Sequence, residues 1–384
     1  MKIAIIVFPS NQEALATPPL PAGYVAALFE QQRHIVRIYD LALEDTSSLH
    51  TALAPVRLFR PHAIVVASDI AEQCQAVHQE LLSSCDAAWA LLSINLRGAM
   101  PGQIAVRALH HFSGDAETNF VAATLLMLRE QLDTLPFPAR HLLRLEGYPL
   151  TTAGGSLQTN ILTGQVVDGA VLVRNPRLII AELRSVIHEY GIWHFVFEGL
   201  PLTADMAWLN DFVYDLVMAR LGISWEATVD PTALSPELLS LLRRAGCETL
   251  NIQFDAMQVI DAASSREALV ASVREAHVHD IKVRGHVLLE PRYSSIPALV
   301  DMSATFGLDD ARFSILQPMQ DEPSDTLTEP EQLLTLAQSR YQTLQGRQLF
   351  VNRFGAYLGP MIWRLRRIGP IGRFWRRYAA SDMA

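Results

Sequence analysis

Short strand-forming runs alternate with helical segments along the first third of this chain, and this alternation is the feature that most limits the fold. The first run, residues 2–8, is almost entirely apolar, which is typical of a parallel strand buried on both faces. Further runs occupy residues 34–40, 61–68 and 88–94, with helical segments between them. Strands that alternate with helices predict a doubly wound α/β domain, which we place at residues 1–140.

The alternation continues in the second half of the chain. With a strand that starts at Tyr148, we expect six strand–helix units before residue 320. Six units predict a barrel smaller than the complete eight-unit form, so we place a (β/α)6 domain at residues 141–320. A helical extension with an arginine-rich tail is expected at residues 321–384.

The net charge of the chain and its distribution limit the classes of function that the protein can have. The 384 residues carry a net charge of -9, which argues against nucleic-acid binding. Charged residues make up 18% of the chain and no long polar tract occurs, so most of the chain is expected to fold. The positive charge is concentrated late in the sequence, because nine arginines and a single acid, Asp382, are found from Arg340 onward.

The three cysteines, Cys74, Cys85 and Cys247, form no C-x2-C pair and no metal-binding spacing. We interpret each as a small buried side chain rather than a catalytic thiol. An odd number of cysteines without a secretory signal is typical of reduced thiols in the cytoplasm. No segment approaches the roughly 20 apolar residues of a membrane span. We therefore expect a cytoplasmic protein, with peripheral membrane contact left open.

Several short segments match one enzyme family in their order and spacing. Residues 18–24 read Pro-Pro-x-x-x-Gly-Tyr, and the second half contains Arg174-Asn175-Pro176 and Phe197-Glu198-Gly199. Together with later segments, these resemble the cobalamin-binding-domain class of radical S-adenosylmethionine (SAM) enzymes. The resemblance implies a Rossmann-like cobalamin-binding-type domain followed by a radical-SAM-type partial TIM barrel, with cobalamin or SAM as candidate cofactors. The later matching segments are residues 242–247, 281–286 and 308–318.

The same resemblance draws attention to an absence. In the family, a loop next to the first barrel strand carries three cysteines, spaced C-x3-C-x2-C, that hold an iron–sulfur cluster. Aligned here, these positions are Gly155, Thr159 and Leu162, and none of them can ligate iron through sulfur. The resemblance therefore implies a degenerate member without a cluster. The N-terminal domain also lacks an Asp-x-His-x-x-Gly segment to supply a histidine to cobalt, which leaves cobalamin binding open.

Three acidic or basic side chains, Glu198, Asp255 and His286, fall at the ends of predicted strands, where barrel chemistry occurs. Such a set suits acid–base catalysis or metal binding, although we assign no metal ligand. In the family, the strand end that corresponds to Glu198 meets the SAM amino group. The residues alone also allow a structural ion pair between Glu198 and Arg284.

A second candidate site is the pair Gly154-Gly155. Its backbone could form a nest that binds an anion, and the alternative is a loop left behind after loss of the cluster. The residues expected to contact a cofactor are Pro19, Gly23, Ser68, Gly154, Gly155, Glu198 and Arg284.

Two functional hypotheses follow. The first is an accessory or binding subunit in a biosynthetic pathway, with an active paralogue or a pathway enzyme as its partner. The alternative is an enzyme that uses the barrel mouth for non-radical chemistry with SAM or cobalamin bound.

Aromatic residues and arginines interleave in the tail at residues 361–378. This pattern predicts contact with an anionic membrane surface or an acidic partner. The alternative is an arginine-rich helix that covers the acidic body of the same chain.

Overall fold

The fold is described here from a computed structural model. It describes residues 1–8, 18–44, 48–67, 76–77, 79–81, 88–94, 106–107, 132–148, 155–167, 169–255, 263–289, 300–301, 303–315, 334–345, 347–348, 358 and 361. By its internal contacts the chain forms two compact units, Met1–Trp225 and Glu226–Ala384.

The N-terminal sheet has five strands in the order β2-β1-β3-β4-β5. Its first four strands pair in parallel, and only the short fifth strand pairs antiparallel with its neighbour. This confirms the predicted α/β domain with a parallel sheet. The strands are β1 (Lys2–Val7), β2 (Ile35–Asp40), β3 (Ala63–Ala67), β4 (Ala88–Ile94) and β5 (Val106–Arg107), and the helices are α1 (Leu20–Gln31), α2 (Leu49–Ala52) and α3 (Ala54–Phe59).

The continuous apolar run of β1 is explained by burial on both of its faces. Ile3 and Ile5 belong to a core cluster that contains the buried side of α1. Ala4 and Ile6 belong to a second cluster, on the opposite face, together with Val56 of α3. Helices therefore cover both sides of the sheet, as a doubly wound arrangement requires.

The second sheet has six strands in the order β13-β12-β11-β10-β9-β6. A helix separates each of the first four of these strands from the next along the chain, as the sequence predicts. The strands are β6 (Gln158–Leu162), β9 (His194–Glu198), β10 (Ser224–Val229), β11 (Cys247–Asp255), β12 (Lys282–Leu289) and β13 (Asp310–Ile315). The strands β7 (Gly164–Val167) and β8 (Ala170–Val173) form a separate hairpin, and the helices are α4 (Pro176–Tyr190), α5 (Met206–Ala219), α6 (Pro236–Arg244) and α7 (Ala263–Val278).

The first strand of this sheet lies later than the sequence indicates. Tyr148 follows the 3-10 turn Leu145–Gly147, and its buried hydroxyl donates to Asp40 at the end of β2. Tyr148 itself is therefore not in a strand, which corrects the expectation for that residue; residues 149–154 lie outside the described residues, and the first described strand of this sheet is β6. The reason is that Tyr148 is held by a hydrogen bond to the N-terminal domain, whereas Thr159-Asn160-Ile161-Leu162 supplies the buried strand.

Local signals place several helix ends correctly. Ser235 caps α6 through a hydrogen bond from the Leu238 amide, and Pro236 occupies the first helical position. Gly246 then adopts a left-handed conformation, with φ of 98°, just after the helix. No helix in the described part of the chain is both long enough and apolar enough to cross a membrane.

Candidate functional site

Glu198 is the last residue of β9, so its carboxylate is placed at the carboxyl end of the parallel pair β6–β9. The side-chain amide of Asn160, on β6, donates a 3.0 Å hydrogen bond to Glu198 Oε2. The same amide donates to the Pro18 carbonyl oxygen at 3.1 Å. Asn160 is 3% exposed, and its Oδ1 has no hydrogen-bond partner among the described residues. A carboxylate and a buried amide oxygen therefore stand together at this strand end.

The chain after β6 turns directly into the hairpin β7–β8, and this hairpin closes against the end of β9. Both the amide and the hydroxyl of Thr163 donate to the Glu198 carbonyl oxygen, at 2.8 and 2.9 Å. Gly199 has φ of 108°, and a Cβ built on it would lie 2.0 Å from the Gly164 carbonyl oxygen. Only glycine fits this approach, so the backbone of the hairpin occupies the space beside the strand end.

Arg174, which follows the hairpin, closes the carboxyl end of β6. Its Nη1 donates to the Leu162 carbonyl oxygen at 2.8 Å and to Glu182 Oε2 at 2.9 Å. Its own amide donates to the Thr163 carbonyl oxygen at 2.8 Å. The Arg-Asn-Pro segment found in the sequence therefore has a structural role here. It holds the hairpin and the strand together.

Glu182 of α4 is shared by two buried arginines. Arg140 Nη2 lies 2.9 Å from Glu182 Oε1 and donates to the Asn160 carbonyl oxygen at 2.8 Å. The exposed fractions of the Arg140, Arg174 and Glu182 side chains are 3%, 1% and 0%. Because β6 stands at the edge of the sheet order, the two guanidinium groups satisfy strand carbonyl groups that would otherwise lack partners.

Tyr24 completes this buried network. Its hydroxyl donates to Glu182 Oε2 at 3.1 Å and accepts from Arg174 Nη1 at 2.9 Å. Burial and the neighbouring Glu182 carboxylate raise the pKa of the Tyr24 phenol above its usual range. The phenol therefore stays protonated, as a hydrogen-bond donor to Glu182.

The positions aligned with cluster ligands do not lie in one loop. Thr159 and Leu162 are both in β6, with exposed fractions of 2% and 1%. Gly155 is exposed just before this strand, with φ of 80°. The expectation of a loop at these positions was wrong for Thr159 and Leu162, because a buried strand forms there instead. Gly154 lies outside the described residues.

The other expected cofactor contacts in the N-terminal domain have packing roles or lie outside the described residues. Pro19 is the residue before α1. Gly23 packs against the last segment of the predicted domain: its carbonyl oxygen accepts from the Ala139 amide at 2.9 Å, and a Cβ built on it would lie 3.1 Å from Pro138 Cβ. Ser68 is not among the described residues.

In the second unit, one face of the sheet is polar. Arg284 Nη1 donates to Glu226 Oε2 at 2.9 Å and to Asn251 Oδ1 at 3.2 Å, and its Nε lies 3.6 Å from Asp310 Oδ2. Arg284 therefore has acidic partners within its own unit, and its pairing with Glu198 stays a prediction from the sequence.

His286 is not at a strand end, which corrects the sequence expectation. It lies in the middle of β12, three residues before Leu289, because the apolar continuation Val287-Leu288-Leu289 extends the strand. His286 Nε2 and Ser314 Oγ are 2.6 Å apart. Burial, reinforced by the positive charge of Arg312, lowers the pKa of His286 to about 4. Asp255 is the last residue of β11, as expected.

The described part of the chain indicates neither a reactive cysteine nor a metal site. Cys247 is fully buried at the start of β11, and burial raises the pKa of its thiol above the usual range. This agrees with a packing role for Cys247, whereas Cys74 and Cys85 lie outside the described residues. Among the residues described, no three His, Cys, Asp or Glu side chains are grouped to hold a metal ion.

The sequence interpretation missed Asn160 and most of the polar face in the second unit. A usable signal was present: polar and apolar residues alternate along β12 and β13, whereas a strand buried on both faces is continuously apolar. For Asn160 the signal is weaker, because a single amide in a short strand has no periodic pattern.

Comparisons with known proteins agree with this fold. A radical SAM methyltransferase, TsrM from Kitasatospora setae, has a structure solved with cobalamin and a [4Fe-4S] cluster; it matches with a TM-score of 0.56 at 13% identity, over 82% of this chain and 74% of that chain. OxsB, a cobalamin-dependent SAM radical enzyme solved with aqua-cobalamin, matches with a TM-score of 0.53 at 10% identity, over 91% of this chain and 56% of that one. The chain therefore shares the fold of cobalamin-dependent radical SAM enzymes.

Sequence similarity to curated proteins is more limited. Bacteriochlorophyllide d C-12(1)-methyltransferase of Chlorobaculum tepidum is 28% identical over 116 residues, which is 28% of this chain and 25% of that protein. The match thus spans about a quarter of this curated relative. No family model matches the chain.

Proposed function

We propose that this chain is a binding or accessory protein that uses the fold of cobalamin-dependent radical SAM enzymes without cluster-based radical chemistry. The observation that carries the proposal is the closed carboxyl end of β6. There the chain continues into the β7–β8 hairpin, Gly164 meets Gly199, and Arg174 bonds the Leu162 carbonyl oxygen.

An iron–sulfur cluster does not fit the residues present at this strand end. Thiolate ligands hold such clusters, and the described segment from Gly155 to Glu198, which omits residue 168, contains no cysteine. The buried guanidinium of Arg174 and the hairpin backbone fill the neighbouring volume.

The same strand end does fit an ammonium group. Glu198 supplies a half-buried carboxylate, and Asn160 supplies a buried Oδ1 without a partner in the described residues. Both are acceptors, and an ammonium group has three donors and no acceptor. Glu198 and Asn160 would hold the amino group of SAM, a sulfonium compound that supplies a transferable methyl group when it is bound. In TsrM, a SAM analogue has been observed together with the tryptophan substrate.

Two measurements test the two halves of the proposal. The first is iron and sulfide content after anaerobic reconstitution, together with the visible spectrum. We expect no site-specific cluster. Near-stoichiometric iron and sulfide with the matching absorption band would overturn this half.

The second measurement is SAM binding by equilibrium dialysis, with cobalamin dialysed in parallel. Glu198→Gln should weaken SAM binding by about 10- to 150-fold, because a hydrogen bond to a charged group contributes about 1.5–3 kcal/mol. Glu146→Gln changes an exposed carboxylate of the same unit and is the matched control. Equal binding by both variants, or no binding by the wild-type protein, would contradict the proposed ammonium site.

The accessory role requires a partner, which we propose to be an active paralogue or another enzyme of the same pathway. The test is the turnover of such a paralogue, from the same organism, with and without this chain. A gain in turnover that Glu198→Gln abolishes would support an accessory role that depends on ligand binding. Methyl transfer by this chain alone would instead support the enzymatic alternative.

A further inference from the structure

The polar face of the second unit contains two rows of side chains that cross three parallel strands. The register aligns Asn251 of β11 with Arg284 of β12, and Arg284 with Asp310 of β13. Two residues further along each strand, a second row aligns Gln253, His286 and Arg312. Because side chains alternate between faces, both rows lie on the same face of the sheet.

Most of the first row is paired within itself, although Arg284 Nε is buried without a hydrogen-bond partner in the described residues. Arg284 is bonded to Asn251 at 3.2 Å and to Glu226 at 2.9 Å, and lies 3.6 Å from Asp310. Two acids, Glu226 and Asp310, lie beside the one arginine of this row, so its positive charge already has counter-charges there. This row offers little to a ligand.

The second row is left unsatisfied. Gln253 Oε1 and His286 Nδ1 are both buried and without hydrogen-bond partners in the described residues. Arg312 is exposed and forms no ion pair with any residue that the structure describes. His286 uses its other ring nitrogen, Nε2, for the 2.6 Å contact with Ser314 Oγ. An acceptor, an imidazole nitrogen and a cation are thus presented together on neighbouring strands.

The position and charge of this row define the ligand that would complete it. It lies nearer than the first row to the carboxyl ends of the strands, where ligands bind in barrels. Arg312 disfavours a metal cation, and its planar guanidinium matches the two oxygens of a carboxylate. A doubly charged phosphate would be only half neutralised by one arginine. The Gln253 oxygen needs a donor, which a hydroxyl group supplies.

We propose that Gln253, His286 and Arg312 bind a small carboxylate that bears a hydroxyl group on the adjacent carbon. Arg312 pairs with the carboxylate, and the hydroxyl donates to Gln253 Oε1. With Ser314 donating to Nε2 of a neutral imidazole, the proton of His286 lies on Nδ1 and is donated to the ligand. This assignment goes beyond the binding role proposed above and is independent of Glu198 and of any cluster.

The test uses the full-length protein with ring-¹³C-labelled histidine, titrated with glycolate. The chain has 12 histidines, so the His286 signal is assigned by its loss in His286→Gln. Glycolate should shift this signal saturably. Arg312→Gln should weaken glycolate binding by about tenfold, as expected for the loss of a charge-assisted hydrogen bond.

Arg244→Gln is the matched control, because Arg244 is an exposed arginine of the same unit at the end of α6. It should leave glycolate binding unchanged. Arg312 and Arg244 are both exposed, so neither substitution removes core packing. An unchanged near-UV circular dichroism spectrum would show that each variant is folded.

Three results would overturn the proposal. One is the absence of a saturable shift with glycolate. Another is equal weakening of glycolate binding by Arg312→Gln and Arg244→Gln. That result would show that the effect comes from the net charge of the protein and not from a contact with Arg312. The last is a loss of specificity for a hydroxycarboxylate. It would be shown if acetate bound as tightly as glycolate, or if inorganic phosphate bound more tightly than either.

Discussion

The phenol of Tyr24, on α1, donates a 3.1 Å hydrogen bond to the Glu182 carboxylate on α4, although 158 positions separate the two residues. The Tyr24 hydroxyl also accepts a hydrogen bond from Arg174, and Arg174 donates to the Leu162 carbonyl oxygen. These contacts connect α1 to the end of β6. The N-terminal sheet and the first strands of the second sheet are therefore joined by a buried polar network. This accounts for a first compact unit that continues to Trp225.

Replacement of Glu182 tests this network directly. Glu182→Gln would leave Arg140 and Arg174 buried without a counter-charge, and we expect the free energy of unfolding to fall by about 3–5 kcal/mol. Urea denaturation provides the measurement. Glu189→Gln, at an exposed site on the same helix, should change stability by less than about 0.5 kcal/mol. Similar losses in both variants would show that the network contributes no more than a surface pair.

The close approach of Gly199 to Gly164 gives a second prediction. Gly222 is a suitable control, because it also has positive φ, 69°, but a Cβ there would meet nothing within 4 Å. We expect Gly222→Ala to cost about 1–2 kcal/mol, the conformational penalty alone. Gly199→Ala should cost clearly more, since its Cβ collides with the Gly164 carbonyl oxygen. Equal losses in thermal or urea unfolding would mean that the hairpin can move aside freely.

His286 should make the protein sensitive to acid. Its pKa is lowered from 6.5 to about 4 by burial and then by Arg312, so the folded state favours the neutral ring. The corresponding stability is fully present above pH 6.5 and is lost as the pH falls toward 4; its upper limit is about 3 kcal/mol. Unfolding measured at pH 7 and pH 4.5 should show a smaller difference in His286→Gln than in the wild type. An unchanged difference would exclude His286 as a source of the acid sensitivity.

The tail at residues 361–378 remains a prediction from sequence, because residues 362–384 lie outside the described residues. Each arginine near an anionic bilayer contributes about 1 kcal/mol, and salt screens this attraction. We expect full-length protein to co-sediment with anionic vesicles at low salt and a chain truncated after Gly359 not to. Equal sedimentation of both forms, or of neither, would leave an acidic protein partner or internal packing. The arginines concerned are Arg364, Arg366, Arg367, Arg373, Arg376 and Arg377.

The sequence predicts the two-part α/β architecture because strand and helix periodicities are local signals. Burial on both faces makes β1 continuously apolar, and caps such as Ser235 set helix ends within a few residues. Tyr148, where we expected a strand to start, instead follows a 3-10 turn and bonds to distant Asp40, a contact that local periodicity does not show. The domain limits near residues 140 and 320 stay predictions.

The site is less accessible to sequence reasoning than the fold. Glu198 could be located at a strand end because strand ends are visible in the sequence. Its partner Asn160 could not, since that contact depends on the pairing of β6 with β9. The row formed by Gln253, His286 and Arg312 likewise depends on the register of three strands, which no single strand specifies.

The location of Thr159 and Leu162 within β6 limits where an iron–sulfur cluster could be built into this protein. The two residues lie three positions apart in one strand, so their side chains point to opposite faces of the sheet. Leu162 packs into the core beside α1, while Thr159 points the other way. Cysteines introduced at both positions could not converge on one iron centre. Cysteine substitutions at these two positions would therefore not create a cluster site; the segment from β6 through the hairpin would have to be rebuilt as a unit.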